Sequence, residues 1–299
     1  MPGIRLVGLE MPGIRLLGLM LAGGLIASTA QAGDELARGE YLVRAGGCVS
    51  CHTAPDGGEF LAGGRAIESP FGVFYGPNIT PHRDQGIGSW GFEDFRRAMH
   101  EGRRPDGRAY YPAFPYTAYT RVRLEDLRAM WAYLQSVEPV ERPSRDHDLA
   151  WYVSARRLLG VWRWRHFEAG RFEPDPERDE QWNRGAYLAR ALGHCAECHS
   201  PRTRTGGIDA DYRYAGVAEA PDGDRVPNIT PHQRTGIGEW SARHVARYLQ
   251  AGLTPDGDFA GGSMADVIDD GTRHLDSNDL RAIAEYLLSL EPIEHELRE

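Results

Sequence analysis

Three features are scarce in this sequence. Only four of the 299 residues are cysteines, which excludes a disulfide-rich scaffold. Lys and Arg number 34 against 43 Asp and Glu, for a formal net charge of −9, so a nucleic-acid partner would find no basic field here. Beyond the N-terminus no apolar run approaches the length of a membrane span. We therefore expect an acidic globular protein that a basic face on a protein partner would attract.

The first 32 residues have the pattern of an export signal. Arg15 precedes the apolar run 16–27, and the small residues of Ala-Gln-Ala end at Ala32, where we predict cleavage. An uncleaved anchor is the alternative. Because MPGIRL occurs at Met1 and again at Met11, either methionine is a candidate start. The pattern predicts a periplasmic protein.

The remainder of the chain is an internal repeat. RGEYLVRAGGCVSCH is matched by RGAYLARALGHCAECH, with Cys48 and Cys195 lying 147 positions apart. PNITPH occurs at Pro77 and again at Pro227, 150 positions later, and DLRAMWAYL is matched by DLRAIAEYL 153 positions later. Self-similarity of this kind indicates a duplicated architecture. It predicts two domains, 33–140 and 181–299, joined by a linker over 141–180.

The periodicity of each half predicts an all-α fold. Apolar residues have helical spacing over 36–45 and 182–191, before the cysteines, and over 124–136 and 277–290 at the end of each half. Ser89 is the expected N-cap of a helix that runs through His100. The segment 54–91 is rich in Gly and Pro and is predicted to be loop.

All four cysteines belong to Cys-x-x-Cys-His. This spacing lets two sulfurs reach the two vinyl groups of one haem while the adjacent histidine binds its iron. A zinc site would need four ligands to converge, and a redox dithiol does not need the histidine. The sequence therefore predicts two covalently bound haem c groups. Their thioether residues are Cys48, Cys51, Cys195 and Cys198, and their iron ligands are His52 and His199.

The far side of each iron needs a second ligand, for which methionine is usual at high potential. Met264 stands in GGSMADVI, which we predict to be a loop before the last helix, and it is the expected ligand of the second haem. The position 150 residues earlier is Phe114, which cannot bind iron. The first haem is therefore either open on that side or bound by another donor of its half: His82, His100, Met99 or Met130.

The middle of the linker is rich in aromatic and basic residues. Residues 150–167 include Trp151, Tyr152, Trp162 and Trp164 together with four arginines. A helix packed across both domains is one interpretation. A strip that docks on a partner or a membrane surface is the other.

These motifs together resemble the cytochrome c subunits of periplasmic alcohol, gluconate and related dehydrogenases. The resemblance rests on RGAYLARALGHCAECHSPR, PNITPH, the GIGSW and GIGEW pair, PDG and YPAFPY. It implies tandem class I cytochrome c domains that pass electrons from a flavin, quinone or molybdenum subunit toward quinone or another cytochrome. It also implies the haem-binding roles of the four cysteines, His52, His199 and Met264. The family motif usually reads YPAMPY, so Phe114 is a departure.

Two classes of function remain open at this point. The first is an electron carrier or electron-transfer subunit, not itself an enzyme, with a redox protein partner and possible peripheral membrane association. The second is a haem enzyme or small-ligand sensor that uses an open first haem, as in dihaem peroxidases or thiosulfate-oxidising cytochromes.

Overall fold

The computed structural model describes residues 33–55, 57–153, 157–220 and 223–297, together with Gly3. The predicted export signal, residues 1–32, lies outside the described residues apart from Gly3. Within the part of the chain that is described, no helix has both the length and the apolar character needed to cross a bilayer.

The first half is mostly helical. Residues 33–45 form α1, followed by α2 (Cys48–His52), α3 (Phe92–Glu101), α4 (Tyr116–Tyr119) and α5 (Leu124–Ser136). Strands β1 (Ala66–Ser69) and β2 (Gly72–Tyr75) form an antiparallel hairpin, and the short β3 (Asp148–Leu149) pairs with β2. The prediction of an all-α fold is thus corrected to a mostly helical fold with a small sheet. A tight turn after Ser69 and the burial of Phe74 favour the hairpin within the predicted loop.

The linker and second half add five more helices among the described residues. They are α6 (Arg157–His166), α7 (Glu180–Tyr187), α8 (Ala242–Ala251), α9 (Gly262–Asp270) and α10 (Ser277–Leu288). The predicted closing helices, 124–136 and 277–290, are confirmed by α5 and α10. The predicted cap at Ser89 is wrong: α3 begins at Phe92, because the Asp94 carboxylate accepts a hydrogen bond from Gly91 N–H at 3.1 Å and fixes the helix start there.

A π-helical turn accounts for a mismatch between the two halves. Arg38 and Arg184 are 146 positions apart, whereas Cys48 and Cys195 are 147 apart, so the second half holds one extra residue. A π-helix over Leu188–Leu192 follows α7, and Gly193 N–H donates to the Leu188 carbonyl, five residues back, at 2.7 Å. Such bulges absorb an insertion without breaking the helix. The second cysteine motif therefore keeps its position relative to α7.

The first helix of each half crosses the closing helix at a glycine. A Cβ on Gly185 would lie 1.9 Å from the Ala282 carbonyl oxygen of α10, and a Cβ on Gly39 would lie 2.2 Å from the Ala129 oxygen of α5. No side chain fits at such a distance. These two close crossings set the position of the helix that leads into each cysteine motif.

The two halves share one core. Most of their buried apolar side chains form one cluster with members from both halves, and Phe74, Tyr111 and Leu159 form a smaller second cluster. Reciprocal hydrogen bonds join the halves: Tyr41 of α1 donates to Asp279 at 2.6 Å, and Tyr187 of α7 donates to Asp126 at 2.5 Å. The repeat relates these pairs, as in the interface of a two-fold symmetric dimer.

Candidate functional site

Each cysteine motif is compacted into one helical turn. The first forms α2, preceded by Gly47 in the left-handed region at φ 66°. The second forms a 3₁₀ turn, Cys195–Glu197, preceded by His194 at φ 36°. Cys48, Cys51 and Cys195 are partly buried and Cys198 is exposed.

The two motif histidines are held by the same contact. Nδ1 of His52 lies 2.7 Å from the Pro77 carbonyl oxygen, and Nδ1 of His199 lies 2.8 Å from that of Pro227. A carbonyl only accepts, so Nδ1 is the protonated nitrogen in both rings. Burial lowers the pKa of both imidazoles, although the carbonyl bonds act in the opposite direction. Each ring is therefore neutral and oriented, with the Nε2 lone pair available to a metal.

An asparagine explains why each proline carbonyl is in place. The Asn78 side chain accepts from Thr80 N–H at 2.9 Å and donates to the Val140 carbonyl at 2.8 Å. Asn228 repeats this arrangement with Thr230, at 2.8 Å, and with the Ile293 carbonyl, at 2.8 Å. Both asparagines thus shape turns through side-chain to backbone bonds. The loop is thereby tied to the end of its own half.

The backbone of each motif histidine is also held by a glycine. Gly63 N–H donates to the His52 carbonyl at 2.6 Å, and Gly216 N–H donates to the His199 carbonyl at 2.8 Å. Both glycines have positive φ, 77° and 85°, and a Cβ on Gly63 would lie 2.5 Å from the Pro77 carbonyl carbon. Sequence reasoning missed these partners of the histidines. The identical PNITPH segments indicate that these loops matter, but they do not show which backbone groups contact the histidines.

The thiols have the wrong chemistry for a redox dithiol. Burial raises the pKa of Cys48 to about 12 and that of Cys195 to about 12, whereas a reactive pair needs a depressed thiol pKa. Among the described residues, no group of three or more His, Cys, Asp or Glu side chains converges to hold a metal ion. The donor set fits covalent haem attachment: two thiols in one turn beside a neutral, oriented imidazole.

Met264 lies on a helix, so the prediction of a loop is wrong. It is the third residue of α9 and is partly buried against the core. Phe114, at the corresponding position of the first half, lies in a bend before α4. Its ring packs against Tyr110 at 5.3 Å and Tyr119 at 5.5 Å between centroids. Pro115 follows it as the N-cap of α4 and disfavours helical backbone at Phe114.

Both candidate methionines of the first half are core residues. Met99 on α3 and Met130 on α5 are buried. The repeat places them opposite Leu249 and Ile283, which are buried as well. Aliphatic counterparts of this kind indicate a packing role.

The two candidate histidines are also engaged. His100 is buried, and its Nε2–H donates to the Val122 carbonyl at 2.8 Å, whereas its Nδ1 has no hydrogen-bond partner among the described residues. Nδ1 of His82 accepts from Gln85 N–H at 3.1 Å, a turn that His232 repeats with Thr235 N–H at 3.2 Å. His82 is therefore not a feature that sets the first half apart.

The structure brings the two cysteine motifs together. Tyr119 donates from its hydroxyl to the Gly46 carbonyl at 2.6 Å, two residues before Cys48. Its ring meets that of His194, next to Cys195, at 5.5 Å. Burial raises the pKa of the Cys51 thiol to about 11, and the nearby Cys198 adds to that rise. Groups bound at the two motifs would therefore be neighbours.

Comparison with known proteins adds the family. The cytochrome c family model matches residues 36–138. A diheme cytochrome c-type protein of Cereibacter sphaeroides is 41% identical over 271 residues, covering 87% of this chain and 87% of that protein. The fructose dehydrogenase cytochrome subunit of Gluconobacter japonicus is 41% identical over 262 residues, covering 85% of this chain and 52% of that subunit.

A third relative is much longer than this chain. A nicotinate dehydrogenase subunit of Pseudomonas putida is 40% identical over 256 residues, covering 86% of this chain but 21% of its own length. The chain thus spans about a fifth to a half of these two dehydrogenase subunits.

Proposed function

The chain belongs to the family of dihaem cytochromes c and dehydrogenase cytochrome subunits, and on that premise we propose that it binds two haem c groups and relays electrons from a dehydrogenase to a respiratory acceptor. Covalent haem c and electron transfer follow from the family. Haem c supplies an iron that takes up and releases one electron. The number of haems, the partners and the periplasmic location are proposals.

One observation carries the proposal of two haems. Both motif histidines donate from Nδ1 to a proline carbonyl, at 2.7 and 2.8 Å. Such a bond fixes the tautomer and ring orientation of an iron ligand. The same oriented imidazole in both halves therefore supports an iron ligand in each. We assign Cys48, Cys51 and His52 to the first haem and Cys195, Cys198 and His199 to the second.

The far side of the iron sets the two haems apart. We assign Met264 to the second haem, and a methionine ligand raises the reduction potential. In the first half Phe114 takes the corresponding place. Met99 and Met130 pack in the core, His82 makes a repeated turn, and His100 is anchored by its bond to the Val122 carbonyl. We therefore propose a first haem without a protein ligand on that side, and electron flow from the first haem to the second.

The domain and location proposals rest on the sequence. The repeat supports tandem class I cytochrome c domains over 33–140 and 181–299, with a linker over 141–180 and an export signal over 1–32. The linker is not a separate spacer, since β3 pairs with β2 and α6 packs on both halves. Export fits haem attachment, which takes place outside the cytoplasm.

A surface for the dehydrogenase is offered by α6 and the residues before it. Trp151 and Trp164 are 85% and 83% exposed, and Leu158 and Val161, between them in the sequence, are exposed as well; we call these four residues the tryptophan strip. The inner residue Leu159 packs with Tyr111, three residues before Phe114. We place the electron donor on this strip, beside the first haem. Peripheral membrane attachment is the other use of such aromatic side chains.

Haem counting tests the proposal. The purified holoprotein should contain two haems per chain by alkaline pyridine spectroscopy. Replacing both Cys195 and Cys198 by serine should leave one haem, attached to the first motif. One haem per chain in the native protein would refute the proposal. Sedimentation with phosphatidylglycerol vesicles separates membrane attachment from protein docking at the strip.

A further inference from the structure

The helix that carries Met264 lies between the two halves. Met264 and Ile268 are four residues apart on α9 and therefore share a face. Ile268 is buried, and Met264 packs against the core. With about 3.6 residues per helical turn, Asp266 lies on roughly the opposite face. Asp270, one turn later, lies on the same face as Asp266.

The opposite face of α9 rests on the first half. The guanidinium of Arg65 donates to the Asp266 carboxylate across the two halves. α9 packs against α2, the first cysteine motif. Burial raises the pKa of Asp270, the neighbouring Asp266 raises it further, and Arg65 acts in the opposite direction, so all three groups lie together. Arg65 is supplied by the loop that precedes β1, thirteen residues after His52.

A nine-residue helix depends on such contacts for its orientation. Helices this short are marginal on their own in water, and α9 starts at a glycine, Gly262, a residue type of low helix propensity. The side chains of Arg65 and Asp266 are only 24% and 43% exposed, so solvent screens the pair less than a surface pair.

We propose that Arg65 and Asp266 are positioning residues for the second haem: this ion pair, one partner from each half, holds α9 so that Met264 stays bound to the iron. The inference rests on the proposed ligation by Met264. It makes the first half part of the second haem site. The second haem should thus lose its methionine when the pair is broken, even though no haem-binding residue has been changed.

The test uses the ferric holoprotein and the variants Arg65→Gln and Asp266→Asn. The readouts are the weak sulfur-to-iron charge-transfer absorption that reports methionine ligation, and the potential of the second haem. Each variant should lose part of the band and show a lower second potential, since loss of a methionine ligand lowers it. The exchanged pair, Arg65→Asp with Asp266→Arg, should recover both.

The matched control is Tyr41→Phe, which removes a different contact between the halves and leaves α9 alone. It should keep the band and the potential. Unchanged readouts in Arg65→Gln and Asp266→Asn, or equal losses in Tyr41→Phe, would overturn the positioning role while leaving Met264 as ligand. A native protein without the band would instead refute ligation by Met264, and this inference with it.

Discussion

The Tyr187 hydroxyl offers the sharpest test of how the halves are joined. Tyr187 is fully buried and donates to Asp126, itself 1% exposed, at 2.5 Å. It also accepts from Arg123 N–H at 3.2 Å. Tyr187→Phe removes a hydrogen bond to a buried carboxylate, worth about 1.5–3 kcal/mol. Asp126 keeps its ion pair with Arg38, so the carboxylate is not left without a partner.

Denaturant unfolding of the holoprotein, followed by circular dichroism, measures the effect. We expect the free energy of unfolding to fall by about 2–3 kcal/mol, which corresponds to a Tm loss of roughly 4–12 °C for a chain of this size. Tyr41→Phe should lower the free energy of unfolding by less, because Tyr41 is only partly buried and Asp279 keeps two hydrogen bonds from Arg184. Since the halves share one core, both variants should unfold in a single transition. A loss below about 0.5 kcal/mol for Tyr187→Phe, the range of neutral surface changes, would refute this reasoning.

Three further predictions follow from other parts of the molecule. Gly185→Ala should prevent accumulation of folded protein, because its Cβ would meet the α10 backbone, whereas Gly160→Ala, with nothing within 4 Å, should not lower Tm. Burial alone would raise the pKa of Asp279, but its bonds from Arg184 and Tyr41 hold that pKa below the usual 3.8. The stability that the Asp279 carboxylate contributes should therefore be present above about pH 4 and be lost as the pH falls through the depressed pKa. Denaturation measured as a function of pH should show a flatter acid dependence for Asp279→Asn. Trp164→Ala should slow reduction by the dehydrogenase in stopped-flow mixing without changing Tm, whereas Phe259→Ala, 75% exposed but outside the tryptophan strip, should leave the rate unchanged.

The sequence was most informative where the chain repeats itself. The closing helices were predictable because their apolar residues recur at helical spacing over twelve or more positions. The cysteine motifs were predictable because their spacing has a chemical meaning of its own. The carbonyls of Pro77 and Pro227 were not, since a backbone acceptor has no side-chain signature.

Long-range contacts were beyond sequence reasoning. Nothing local indicates that Tyr41 bonds to Asp279, or that Arg65 reaches α9, because each pair is separated by about 200 residues or more. The hairpin β1–β2 was hidden by its short strands and by the Gly and Pro content around it. The helix at Met264 was missed because Gly261 and Gly262 imply a loop, whereas in the structure Gly262 is the first residue of α9.

Electron paramagnetic resonance of the ferric native protein, with Phe114→Met measured beside it, tests the central claim most directly. The claim is that two haems with the same attachment differ on the far side of the iron, with Met264 in one half and Phe114 in the other. We predict one low-spin and one high-spin signal in the native protein, and conversion of the high-spin signal to low spin by the substitution. Two low-spin signals in the native protein would contradict it.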